Sequence, residues 1–182
     1  MKRWRDKSVV AVLALGAVLT VFTTYGWAQE KYTWSTKGAE GATATYPQQL
    51  ALDVGDVPGH QVRVYEIHWV FPPTYPINNA KGLKLVEAWV HGTSDYINGN
   101  GRSWGYNVQI YDNGDKIFWR LEGTTQTIVK DGLRSTTYQG VHTITSGTGK
   151  LQGIHGLARD TCTTPELGKA LKCETEGETW FE

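Results

Sequence analysis

Ionisable residues two apart on an extended strand share one face, and the middle of this chain carries several such pairs. Glu66 and His68 form one. Glu87 and His91 stand on the next run, Arg120 and Glu122 on a later one, and His142 and His155 stand singly. A carboxylate beside an imidazole is an acid/base pair, and burial moves both groups toward titration near neutrality. Glu66, His68, Glu87, His91 and His142 are therefore the candidate catalytic set. Cross-strand neighbours would bring Glu87 to Glu66 or His68. The deciding question is which face of each strand looks inward. If Tyr65, Ile67 and Trp69 point in, Glu66 and His68 point to solvent. Arg120 with Glu122 reads most simply as a surface ion pair opposite Ile117, Trp119 and Leu121.

Other chemistries lack their residues. No H-x-H or H-E-x-x-H spacing is present, so no metal is expected. There is no G-x-S-x-G nucleophile elbow and no phosphate-binding loop, and no cofactor is expected. Glu174, Glu176 and Glu178 share a face with Trp180 and read as an outward acidic edge, with calcium binding the lesser alternative. The chain has eight tryptophans. Most belong in a core. Trp69, Trp89, Trp104 and Trp119, with Tyr106 and Arg120, are the candidates to line a pocket for a planar or apolar ligand.

These residues must be positioned by strands. Gln61–Phe71 alternates with period two throughout, and Pro72-Pro73 ends it. Leu83–His91, Trp104–Tyr111, Lys116–Gly123, Thr136–Thr145, Leu151–Leu157 and Glu174–Phe181 read as further strands. On the second, Leu83, Leu85, Glu87, Trp89 and His91 share one face, opposite an apolar Val86, Ala88 and Val90. Asp112-Asn113-Gly114-Asp115 is a hairpin signal, because Asn-Gly accepts the positive φ of tight two-residue turns. The apolar loop up to Lys81 is long enough to cover one end of a barrel. Thr163–Lys172 carries the one helical pattern: a threonine cap, a first-turn proline, an early glutamate and a late lysine. About eight strands at regular spacing predict an all-β fold. A closed antiparallel barrel with one short C-terminal helix is favoured, because closure removes edges; a β-sandwich is the alternative.

The first 28 residues have the basic start, apolar run and small-residue ending of a secretory signal peptide. Residues 29–60 then form an N-terminal segment and 61–182 the barrel domain. Without the leader's four basic residues and Asp6, 14 Lys and Arg remain against 17 Asp and Glu, a net charge of −3. That balance excludes a basic nucleic-acid face. No second stretch could span a membrane, and the expected location is secreted or periplasmic. Cys162 and Cys173 pair most simply as a disulfide in an oxidising compartment, adding about 2–3 kcal/mol. Two free thiols or a redox pair are the other readings, though the spacing does not suit C-x-x-C chemistry.

Gly114–Thr124, a strand ending in Glu-Gly-Thr, and Thr143–Gly156, with Gly147-Thr148-Gly149-Lys150-Leu151-Gln152-Gly153-Ile154, together resemble the allene oxide cyclase-like and dirigent-like group of small β-barrels. The resemblance covers about residues 61–157, with His155 where the pattern has a small residue. It implies an eight-stranded barrel around an apolar cavity. Plant members of the group cyclise or couple reactive small molecules, and their catalytic positions do not carry over to this chain. Three functions follow as expectations. The first is an exported protein that binds a small apolar or aromatic molecule in its cavity. The second is a cyclase or isomerase using shape and one acid/base pair. The third is a structural envelope protein with a filled core. Assembly into homo-oligomers is left open.

Overall fold

The computed structural model describes residues 30–37, 41–164 and 172–182. The signal-peptide reading and most of the predicted helix lie outside them. Ten strands form one antiparallel sheet: β1 Tyr32–Lys37, β2 Thr43–Thr45, β3 Gln49–Asp53, β4 His60–Val70, β5 Leu85–Ile97, β6 Asn100–Tyr111, β7 Lys116–Lys130, β8 Leu133–Gly147, β9 Ile154–Thr164 and β10 Lys172–Phe181. Their order is β1-β10-β9-β8-β7-β6-β5-β4-β2, with β3 also pairing β4. The strands of the expected N-terminal segment thus join the same sheet as the rest. Among the described residues no helix is long and apolar enough to cross a membrane.

The all-β expectation holds, but the closed barrel does not. The sheet curls into an open half-barrel, and β1 makes no ladder with β2 or β3. Its edges are its shortest strands, with 6, 3 and 5 residues. Pro47 separates β2 from β3, and a residue without an N–H cannot continue a ladder. Neither edge therefore offers a partner long enough to close the cylinder. The predicted helix is also corrected. Thr163 and Thr164 end β9, Lys172 opens β10, and no α-helix occurs among the described residues.

The tight turns differ from the sequence reading. The Asn113-Gly114 hairpin has a longer loop, in which Tyr111 N–H donates to Asp115 O at 2.9 Å and only Gly114 has positive φ. The two-residue turns are Asn98-Gly99 (φ 53° and 81°) and Asp131-Gly132 (φ 54° and 75°), where both residues are left-handed. A bulge between Leu85 and Glu87 also changes a face assignment. It turns Leu85 to the same side as Ala88 and Val90, so that side is apolar throughout.

One end of the half-barrel is solid. Leu83, Leu85, Tyr111, Ile117, Trp119, Ile144, Leu151, Ile154 and Ala158 make its core, with Phe71 and Tyr75 packed on it. Asn79 stitches the covering loop, accepting from Lys81 N–H (3.1 Å) and Leu83 N–H (3.2 Å) while donating to Leu83 O (2.9 Å). The Gly-Thr-Gly-Lys stretch docks beside it as a 3-10 turn, Gly149–Leu151. Lys116 N–H donates to Thr148 Oγ1 (2.8 Å) and Lys150 N–H to Asp115 Oδ2 (2.9 Å). These glycines serve a turn, and Leu151 lies in that turn instead of opening β9.

Candidate functional site: the concave trough

Above this core the concave face encloses a cavity of about 750 Å³. Strand register arranges its walls in rows. One row runs Arg63, Ser94, Ser103, Gly123, Gly140, Asp160, Thr175, Thr36 from β4 across to β1. The row nearer the core runs Tyr65, Gly92, Gly105, Leu121, His142, Ala158, Gly177, Trp34. The row nearer the open end holds Tyr96, Thr125, Tyr138 and the Cys162–Cys173 disulfide. A polar belt therefore lies between aromatic residues.

Glycines seat the tyrosines. A methyl on Gly92 would collide with the Tyr65 ring and hydroxyl. One on Gly123 would meet the Tyr138 ring, and one on Gly140 would strike both the Tyr138 hydroxyl and Asp160 Oδ1. The rings lie against backbone that has no side chain to displace them. The Ser103 hydroxyl lies near both the Tyr65 and the Tyr138 hydroxyls. Burial pushes the Tyr65 phenol up to about 12, with neighbouring Tyr96 adding to the shift. Burial likewise raises Tyr138, with Asp160 adding to it. Both phenols stay protonated donors at neutral pH.

His142 and Asp160 face the same space. Their Nε2 and Oδ1 atoms are 3.1 Å apart, and both side chains are largely buried, at 14% and 13% exposed. The contact is close but off the line of a hydrogen bond, so neither atom has a hydrogen-bond partner. Ser94 Oγ, Asn107 Oδ1, Trp119 Nε1 and Trp34 Nε1 are also buried without partners, and all four residues line the trough. Buried polar atoms are rarely left unpaired, and these gather on one concave face.

No protein-family model, curated protein or solved structure matches this chain.

The structure divides the sequence candidates between two faces. His142, Trp69 and Trp119 line the trough. Glu66, His68, Glu87, His91, Trp89, Trp104, Tyr106 and Arg120 alternate with trough residues and project from the convex side. There Glu87 meets His68, one of its two expected neighbours, while Glu66 meets His91 instead. His91 Nδ1 and Glu66 Oε1 are 3.3 Å apart, as are His68 Nε2 and Glu87 Oε2, and His68 stacks on Trp89 with ring centres 4.0 Å apart. Tyr106 stands opposite Arg120, and no ion pair joins Arg120 to Glu122 among the described residues. Cys162 and Cys173 are bonded directly across β9 and β10. Among the described residues no cluster of three or more His, Cys, Asp or Glu could hold a metal. A second hollow, about 590 Å³, lies along β1, β10 and β9, with Trp34 its one aromatic residue.

Sequence reasoning passed over Tyr65, Tyr96, Ser103, Asn107, Tyr138 and Asp160. The available signal was the set Gly92, Gly105, Gly123 and Gly140. Each stands inside a β-rich run, where glycine is costly unless something approaches the backbone closely.

Proposed function

We propose that this is an exported protein that binds a small, largely aromatic molecule in its concave trough. The supporting observation is the trough itself. Its volume is in the range of small-molecule sites. Trp69, Phe71, Tyr75 and Trp119 supply apolar surface at its closed end, and Tyr65, Tyr96 and Tyr138 supply directed hydroxyls nearer the mouth. Export fits the leader-like N-terminus and a disulfide suited to an oxidising compartment. The resemblance to cavity-bearing barrels points to the same kind of ligand. Trp119 and Trp69 report on occupancy, so a panel of small aromatic alcohols and ketones is expected to quench tryptophan fluorescence saturably at one molecule per chain. A linear, unsaturable response to every compound would refute the reading and favour a protein whose core is simply filled.

A further inference from the structure

We infer that the trough is also a proton-transfer site, in which His142, facing Asp160, acts as general base on a carbonyl compound whose oxygen is bound by the hydroxyls of Tyr65, Ser103 and Tyr138. The inference rests on the binding reading and names the ligand's chemical class.

Three observations converge on it. First, His142 and Asp160 face each other at 3.1 Å inside the cavity, on adjacent strands whose backbone fixes both. The contact is not a hydrogen bond in this structure; realigned around a bound substrate, a neutral imidazole would donate Nε2–H to this carboxylate and keep its lone pair on Nδ1, the basic nitrogen the chemistry needs. Second, Tyr138 leans over Gly140, which puts its hydroxyl beside Asp160 and one alternation along the strand from His142. A donor for a developing oxyanion thus stands close to the base. Tyr65 and Tyr138 both lie near Ser103, so the three hydroxyls gather in one part of the trough. Third, unpartnered Trp119 Nε1 is a further buried donor, which calls for a ligand that carries an acceptor, as a ketone oxygen is.

The step balances without a co-reactant. His142 Nδ1 takes a proton from the carbon next to a ketone. The C–H electron pair forms a C=C bond, and the carbonyl π pair moves onto oxygen, giving an enolate that accepts hydrogen bonds from the tyrosine hydroxyls. The imidazolium returns the proton to the same carbon, or to the far carbon of a conjugated system, which completes an isomerisation. The enzyme ends neutral at His142, as it began.

The test is α-hydrogen exchange in D2O, followed by proton NMR, with acetophenone, propiophenone and 1-indanone as probes. Quenching of tryptophan fluorescence by the same ketones is measured in parallel. The wild-type protein is expected to exceed buffer by at least about 100-fold, as general-base catalysis commonly does. His142→Gln is expected to lose that excess and Asp160→Asn most of it, with quenching retained in both. His155→Gln, whose ring pairs with Glu182 far from the trough, keeps full exchange. A ketone that quenches saturably but exchanges no faster than in buffer overturns the proton-transfer inference and leaves binding standing. Exchange that survives His142→Gln overturns it too. Should the variants fail to fold, the wild-type comparison alone decides. If no ketone quenches and none exchanges, the binding reading falls with it.

Discussion

The two faces of this sheet carry the same chemistry in different surroundings. On the convex face, His91 meets Glu66 and His68 meets Glu87, both at 3.3 Å, with His91 49% and Glu87 43% exposed. Water screens such pairs, and they are worth little individually. On the concave face His142 meets Asp160 at nearly the same distance, walled by tyrosines and tryptophans. There the lower dielectric strengthens every interaction and makes an unpaired group costly. Pairing a histidine with a carboxylate is therefore uninformative here, since all five histidines have a carboxylate within 3.4 Å. What distinguishes the sites is enclosure and the company of oriented hydroxyls.

The contrast makes its largest prediction for aromatic residues. Trp119 is 1% exposed, whereas Trp104 on the convex face is 46% exposed. Trp119→Ala should cost about 3–5 kcal/mol in denaturant unfolding. Trp104→Ala should cost less than about 1 kcal/mol. Equal costs would mean that the curvature is wrongly assigned.

A smaller effect is expected at the glycine seats. Gly140→Ala forces a methyl against Tyr138 and Asp160 and should cost about 1–3 kcal/mol, measured by the same unfolding curves. Reduction of the Cys162–Cys173 disulfide should lower stability by a similar amount, about 2–3 kcal/mol. Thermal melts with and without reductant check this.

The next prediction concerns pH. Tyr65 and Tyr138 hold their protons more tightly folded than unfolded. Their contribution is complete below the ordinary phenol value of 10 and is lost as pH rises toward 12. Alkaline unfolding should therefore coincide with their absorbance change near 295 nm. Ionisation of both in the native state would contradict their burial.

The smallest effect belongs to His60, which bridges Asp56 (2.6 Å) and Asp95 (2.8 Å) near the open end. Its hydrogen bonds to Asp95 and Asp56 raise it above 6.5, and its bond lowers Asp56 below 3.8. The clamp is thus present between those limits. It loosens as pH rises through the His60 value and as pH falls through the Asp56 value. NMR titration of the His60 ring protons in wild type and Asp95→Asn would show this. An unshifted titration in wild type would remove the clamp.

Most strands were legible because alternation and turn residues are local. Gln61–Phe71 was read almost to its observed ends. The faces were not legible, because both carry large side chains. Tyr65, Ile67 and Trp69 line the trough, while Trp89, Trp104 and Tyr106 cover its back. Period two separates two sets without saying which is inside, and at β5 a bulge breaks the period altogether. Closure was not legible either, since it depends on whether short, distant edges meet. Of the site, only His142, Trp69 and Trp119 were foreseen. Asp160 follows Arg159 in a run that resembles a surface, and only the register with Gly140 brings it inside.

The most direct test of the trough as the functional face is ligand location. Val90 lines the trough beside Asn107, so Val90→Trp should place a bulky ring inside it. Saturable quenching by 1-indanone is measured in wild type, in Val90→Trp and in Trp104→Ala, each checked for a native melting transition. Binding is expected to disappear in folded Val90→Trp and to persist with unchanged affinity in Trp104→Ala. Binding that survives Val90→Trp but is lost in Trp104→Ala would place the ligand on the convex face and contradict the account.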